Sequence, residues 1–481
     1  MSVLDNLQPG VVFHFFEELC NIPHGSGNLQ KISDYLVSFA KERGYEVEQD
    51  KELNVIIKAP GTAGYEDKEP VILQGHMDMV AVKEDSCDID MKTDGLRVTT
   101  DGEYVWAEGT SLGGDDGIAV AYCLAILDSK DIPHPPLEVV ITTNEETGMF
   151  GAAAIDLSGL KGKRMINIDN EEEGVFITSC AGGARVYSKL SMEQENASGV
   201  KCTVAVSGLL GGHSGEMIKC GRGNANHIAG RVLYRLSKEM SVKLISIDGG
   251  VADNAIPSTA SLKFVVDNGD ADKAKEIVNN VLNEVKGELE GKDEGIDISF
   301  ATEEVSGACA FNSKDTERVA RMITVMPDGV QAMSAMVAGL VETSPNLGIV
   351  KTEGGLVTLE QSVRSSVESS KKVLIDKLLT IGEMFGAEVT VSGEYPGWKF
   401  RQHSELRDHL VRVYQDMYGK APQLQAIHAG LECGILSEKI DDLDCISIGP
   451  DMKDIHSTGE KLSVKSTANV WAYLVEVLKQ F

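Results

Sequence analysis

Five short segments of this chain carry histidine or carboxylate, most of them where an apolar run ends. They are His76 in VILQGHMD, Asp115 in SLGGDDG, the pair Glu145–Glu146 in VVITTNEETG, Asp169 in MINIDN and His456 in ISIGPDMKDIH. Imidazole and carboxylate suit zinc and similar divalent cations, with no need for cysteine. Two cations held about 3.5–4 Å apart repel each other, and a carboxylate that bridges both offsets the repulsion. A water shared between them loses a proton near neutral pH and becomes a nucleophile. A further carboxylate, not itself a ligand, must then take and return protons. Adjacent Glu145 and Glu146 offer one residue for each role. Asp78, two residues beyond His76, points to the same side of an extended chain and is placed to accept the second imidazole N–H. Asp115 arrives in a glycine loop just before an apolar helix, whose N-terminus favours a carboxylate. Asp116 is its neighbour, and spacing alone leaves open which of the two would bridge.

The elements that must position these residues read as α/β. Helical apolar spacing covers residues 11–20 and 29–43, and Gly44 stops the second run. Residues 54–58, 71–74, 137–143 and 165–168 read as strands, and 117–128 is apolar nearly all round, as a buried helix is. Continuous apolar runs between helices predict a sheet covered on both faces. Ligands of such sheets bind beyond the carboxyl ends of the strands. His76, the glutamate pair and Asp169 fall there, and His456 follows the run at 445–448 across a Gly-Pro turn.

From about residue 186 the texture changes to α+β. Residues 199–206 and 242–248 read as strands and 223–239 as a helix. Residues 241–266 lead into a helix at 271–288, and residues 336–366 into a helix at 369–386. Both passages run strand, Asn-containing turn, strand, helix, which predicts an internal duplication. GEYPGW at 393–398 reads as an exit linker, after which a helix at 404–418, the strand at 445–448 and a helix at 463–480 restore α/β texture. The predicted organisation is a discontinuous catalytic domain, 1–185 with 400–481, and an inserted lid domain, 186–399.

Bulk properties narrow the partners. A net charge of −29 over 481 residues argues against nucleic acid and anionic membranes, both of which need basic patches. No apolar run is long enough to span a bilayer, and the first residues lack a secretory signal. Nine scattered cysteines without a CxxC match a reduced, cytoplasmic protein.

HMD, SLGGDDG, the EE pair, the later Asp and the C-terminal His together resemble the M20 metallopeptidase family, and within it the aminoacyl-histidine dipeptidase branch. The likeness runs through IPHGSG, CAGGA, SGLLGGHSG, GRGNANH, NAIP, YPGW, IHAGLECG and SIGP, essentially the whole chain. It implies that Asp115 bridges two metals, that His76 with Asp169 holds one, and that Glu146 with His456 holds the other. It implies Glu145 as general base and acid, Asp78 behind His76, and a cis peptide after Asp115. Zinc is the implied ion, with cobalt or manganese as substitutes. His213 in GGHSG resembles the residue that stabilises the developing negative charge at the scissile carbonyl. Asn254 and Arg364 resemble binders of the substrate's carboxylate and backbone, and Gly430, beside Glu432 in HAGLECG, is placed on the catalytic side. The activity implied is broad dipeptide hydrolysis, including Xaa-His substrates such as β-alanyl-histidine. Tripeptidase, aminoacylase and carboxypeptidase activities are the related alternatives, and a homodimer is left open. After His456 the family's Ser-Pro-Asp-Glu is replaced by Ser457-Thr458-Gly459-Glu460.

Bland and rival readings stand beside this one. His14, His24, His134, His227, His403, His409 and His428 read as surface or structurally satisfied histidines. Gly109-Thr110-Ser111-Leu112-Gly113 matches the G-x-S-x-G nucleophile elbow of serine hydrolases, but AEGT before it is a poor strand. A peptide-binding module without catalysis would need neither Glu145 nor Asp78.

Overall fold

The computed structural model describes residues 3–481, which divide into two compact units. The first comprises the chain up to Ser179 with Phe400–Ala426 and Leu431–Phe481; the second comprises Cys180–Lys399 with Ile427–Gly430.

The first unit is built on an eight-stranded sheet. Its strand order is Glu46–Gln49, Val55–Ala59, Leu137–Thr142, Val71–His76, Arg164–Asn167, Asp444–Ser447, Val175–Cys180 and Gln423–Ile427. The four strands from Leu137–Thr142 to Asp444–Ser447 are mutually parallel. Their carboxyl ends therefore share one edge. Successive side chains of a strand face opposite sides. Every residue of Val71–His76, Leu137–Thr142 and Asp444–Ser447 is buried, so both faces are covered. The helix Gly114–Asp128 is buried from Gly114 to Leu127 and packs on the strand Val71–His76 and the helix Gly10–Cys20. Gly75 allows the close approach: a Cβ there would lie 2.5 Å from Asp116 Oδ2 and 2.7 Å from Ala119 Cβ. A four-stranded sheet, Met452–Lys453, Lys461–Ser463, Tyr104–Ala107 and Val98–Thr100, adds a hairpin that the apolar pattern did not reveal. Short strands of mixed polarity carry little periodic signal.

The second unit has one antiparallel sheet of nine strands with its own core. Its path runs Asp297–Phe311, Gln194–Ser207, Ala260–Val266, Lys243–Gly249, Val341–Glu353, Leu356–Ser365, Gly182–Ser191 and Glu388–Tyr395, with Ala332–Met333 beside Val341–Glu353. Helices Ala225–Glu239, Ala271–Glu288, Ser313–Val325 and Glu368–Met384 complete it. The stretch read as an exit linker begins inside a strand, since Glu388–Tyr395 pairs with Gly182–Ser191 and Tyr395 lies opposite Gly183. A Cβ on Gly183 would lie 2.6 Å from the Tyr395 ring, so glycine there makes room for it. Among the described residues, no helix is long and apolar enough to cross a membrane.

Candidate metal centre

His76 is the last residue of its strand, and its Nδ1 lies 2.9 Å from the Asp78 main-chain carbonyl. That bond makes Nδ1–H the donor and leaves Nε2 facing the carboxylates. Nε2 is 3.2 Å from Asp115 Oδ1 and 3.9 Å from Asp169 Oδ1. The other Asp115 oxygen, Oδ2, is 3.1 Å from His456 Nε2, which is also 3.0 Å from Glu146 Oε1. One carboxylate thus faces two imidazoles from segments 341 residues and 39 residues away. The Asp115–Asp116 peptide is cis.

Each residue has an identifiable mount. Asp169 follows the strand Arg164–Asn167, and the glutamate pair follows Leu137–Thr142 through a turn at Asn144, whose φ is +52°. His456 comes after the main-sheet strand Asp444–Ser447, but at a distance. It lies in the hairpin between Met452–Lys453 and Lys461–Ser463, with φ +60°. Asp78 also differs from expectation. Its carboxylate is 3.6 Å from His76 Nδ1, while its main-chain carbonyl is the nearer partner. The carboxylate instead accepts the Ser26 hydroxyl at 2.8 Å and the main-chain N–H groups of Glu145 at 3.0 Å and Glu146 at 3.4 Å. It therefore holds the turn that carries the glutamate pair.

Among the described residues, three groups bring metal-ligating atoms within 4.8 Å of one another: His76 with Asp116 and Asp169, His76 with Glu145 and Glu146, and Asp115 with Glu146 and His456. Such a donor set of nitrogen and oxygen fits zinc, cobalt or manganese. Asp116, the neighbour that spacing left in contention, turns Oδ2 to the His76 main-chain N–H at 3.1 Å, and its buried Oδ1 has no hydrogen-bond partner among the described residues.

The electrostatics are those of crowded buried carboxylates. Burial would push the Asp115 carboxyl up, yet His456 and His76 hold it below the usual carboxylate range. Burial pushes Asp169 up, reinforced by Asp115 and Asp116. Glu145 is pushed up to about 8 by burial, against His76 and with the help of Glu432, Glu146 and Asp115. His456 is raised to about 10 by its bonds to Asp115 and Glu146. Glu432, which HAGLECG placed on the catalytic side as a contact for the substrate's ends, is instead fully buried; its Oε2 accepts from Gln74 and Thr142, both at 2.6 Å, and burial pushes it to about 7.

Ser111 is no exposed nucleophile. Its hydroxyl is buried and donates to the Val80 carbonyl at 2.6 Å, and it accepts the Val82 N–H at 3.2 Å.

The second unit gathers the remaining candidates in two places. His213 ends the two-residue strand Gly212–His213, which pairs with Ala255–Ile256, and the Ser214 N–H donates to the Asn254 carbonyl at 2.8 Å. Arg364 lies between Ser344 and Gly183 in the sheet register, and its Nη1 is 3.4 Å from the Tyr395 hydroxyl. HAGLECG divides between the units, and Gly430 groups with the second rather than with the catalytic side. His428, read as a structural histidine, is buried with Nε2 2.8 Å from Ser344 Oγ. Burial and then Arg364 lower His428 to about 3, and the same two causes lower His213. The signal for His428 was its place in HAGLECG.

A covered α/β sheet with a histidine–carboxylate cluster beyond its strand ends defines a metallopeptidase architecture. The comparison with known families makes the class particular. The model of peptidase family M20/M25/M40 matches residues 72–480, and the chain belongs to that family, which makes it a peptide-bond hydrolase. It is 37% identical, over 100% of its length and 99% of the relative's, to the cytosol non-specific dipeptidase of Escherichia coli strain K12. It is similar to the crystal structure of aminoacylhistidine dipeptidase from Vibrio alginolyticus, with a TM-score of 0.93 and 37% identity over 99% of this chain and 98% of that one. A tripeptidase from Staphylococcus aureus shares the fold at a TM-score of 0.57 and 16% identity, covering 98% of each chain.

Proposed function

We propose that this chain is a metal-dependent dipeptidase of broad specificity that includes Xaa-His dipeptides of the β-alanyl-histidine type. The names of the two relatives at 37% identity support the substrate class. The observation that carries the metal reading is Asp115, whose two oxygens each face a different imidazole at 3.1–3.2 Å. In this reading His76 and Asp169 would hold one divalent ion and Glu146 and His456 a second, with Asp115 serving both. The ions, zinc by preference, supply Lewis-acid activation of water and of the peptide carbonyl. Glu145 takes a proton from the attacking water on its carboxylate and delivers it to the leaving amine nitrogen. Asp78 orients Glu145 through the main-chain N–H that it accepts. On the second unit, the Arg364 guanidinium offers the planar fork that suits a carboxylate. We assign the peptide's terminal carboxylate to it, with His213, Asn254 and Gly430 as further substrate-binding residues.

Dipeptides, tripeptides and N-acyl amino acids, offered to chelator-stripped protein reloaded with zinc, cobalt or manganese, test this. Dipeptides including β-alanyl-histidine are expected to be cleaved fastest, and the stripped protein to be inactive. Preference for tripeptides or N-acyl amino acids would sink the substrate assignment, and a full rate without metal would sink the metal mechanism. Glu145→Gln should keep its metal and lose roughly 100- to 10,000-fold in kcat. A near-normal kcat in that variant rules out the proton-transfer role.

A further inference from the structure

Glu460 has no role in the chemistry above, yet its side chain is buried beneath the loop that carries Asp115, the residue being only 3% exposed. Oε2 accepts the N–H groups of Leu112 at 2.7 Å and Gly113 at 3.1 Å. Oε1 accepts those of Gly114 at 2.8 Å and, more weakly, Asp115 at 3.4 Å. Four consecutive main-chain donors thus converge on one carboxylate, which offers acceptor sites enough for all of them. Glycine is what brings the loop in. Gly113 has φ +71°, and a Cβ on Gly114 would lie 3.3 Å from Glu460 Oε1 and 3.2 Å from Met452 Sδ.

Glu460 also stands four residues after His456, in the same hairpin turn. That turn is tightly braced without the family's proline. The Ser457 hydroxyl donates to the Asp454 carbonyl at 2.6 Å and accepts the Gly459 N–H at 3.1 Å, and the Glu460 N–H donates to the Ser457 carbonyl at 3.3 Å. Lys461–Ser463, immediately beyond, is fixed in the small sheet against Tyr104–Ala107. One short segment therefore presents His456 Nε2 to Asp115 Oδ2 and grips the main chain of Asp115 from behind. His76, by contrast, is mounted on the main sheet and shares none of these bonds.

We propose that Glu460 is a positioning residue of the centre: it clamps the Asp115 loop to the His456 turn and so sets the affinity of the subsite made by Asp115, Glu146 and His456. This rests on the reading that these residues belong to a two-ion centre. The substitution Glu460→Gln would keep the shape of the side chain but turn an N–H₂ donor toward main-chain N–H donors, which breaks the clamp without opening a cavity.

Zinc binding to metal-stripped protein, followed by calorimetry and by competition with a chromophoric chelator, separates the outcomes. Wild-type protein is expected to take two ions. Glu460→Gln should weaken the ion held by Glu146 and His456 roughly tenfold or more, the range for residues that orient ligands, and the other, which shares only Asp115 with the clamp, by a smaller factor. Glu460→Asp keeps the charge on a shorter arm and should show the same split more mildly; it is the variant to read if Glu460→Gln does not fold. Tyr122→Phe is the stability control, because it removes a buried hydrogen bond of 2.9 Å from the same helix to the Thr467 carbonyl. It should bind both ions as the wild type does. Unchanged affinities in the Glu460 variants, equal weakening of both ions, or the same split in Tyr122→Phe would each overturn the proposal. Wild-type protein that takes fewer than two ions overturns the two-ion reading and this inference with it.

Discussion

Carboxylates crowd both imidazoles of the centre. His456 is raised to about 10 because Asp115 and Glu146 flank it, and His76 is raised well above its ordinary value, against burial, by Asp115, Asp169 and Asp78. The flanking carboxylates therefore favour the protonated imidazoles in the metal-free protein, and a cation must displace those protons to be bound. Zinc uptake at pH 7 is expected to release protons, from the imidazoles and from carboxyls that burial raises such as Asp169, and affinity should rise with pH until His456 titrates. Calorimetry in buffers of different ionisation enthalpy measures the number; binding heats that do not vary with buffer would show that the imidazoles are neutral in the empty site. Most of the residues behind this behaviour were legible because they follow an apolar run, and Asp115 because its glycine loop precedes an apolar helix. What lay behind them was not. Asp78 holds the glutamate pair by main-chain N–H groups, which depends on the left-handed turn at Asn144 rather than on residue type. Glu460 finds its partners about 346 residues earlier in the chain, and no local pattern reports a bond across that span.

At the scale of elements, the centre depends on the contact between the strand Val71–His76 and the helix Gly114–Asp128. Gly75 is where they meet, with Asp116 Oδ2 at 2.5 Å and Ala119 Cβ at 2.7 Å from a would-be Cβ. Both neighbours belong to buried, tightly mounted backbone, so neither can swing away as an exposed side chain would. Gly75→Ala is expected to lower stability by about 1–3 kcal/mol, the usual effect of overpacking, and to weaken zinc binding, because His76 is the next residue. Urea unfolding and zinc titration check the two halves; wild-type values for both would mean that helix and strand separate freely there. The long apolar elements were read from sequence to within a few residues: the helix expected at 271–288 is Ala271–Glu288, and the strand expected at 137–143 is Leu137–Thr142. The misses have a common physical cause. Met452–Lys453, Lys461–Ser463 and Tyr104–Ala107 exist only because they pair with one another, and Glu388–Tyr395 continues into GEYPGW because Gly183 leaves room for Tyr395. Pairing of that kind overrides local propensity.

At the scale of the molecule, each unit closes its own core. The buried apolar cluster of the second unit draws all its members from between Ala184 and Leu378. Its 220-residue continuous part, Cys180–Lys399, is large enough to fold alone. That segment is expected to unfold cooperatively in urea, reported by Trp398, its single tryptophan. A gradual, non-cooperative change would show that the core is not self-sufficient. What the segment lacks is Ile427–Gly430, and with it the His428 bond to Ser344. This missing piece makes a pH test. In the full chain His428 is lowered from an ordinary 6.5 to about 3, by burial and then by Arg364. The folded state therefore binds fewer protons than the unfolded state between those values. Its contribution to stability is present above pH 6.5 and is lost as pH falls towards 3, at up to about 1.4 kcal/mol per pH unit. Glu432, raised to about 7 by burial, acts in the opposite sense in the first unit, so the absolute profile mixes the two. The difference between proteins isolates His428. His428→Asn in the full chain should lose less stability than the wild type between pH 6.5 and pH 5. Parallel urea midpoints for wild type and His428→Asn across that range would mean that the folded protein leaves His428 free to take up a proton.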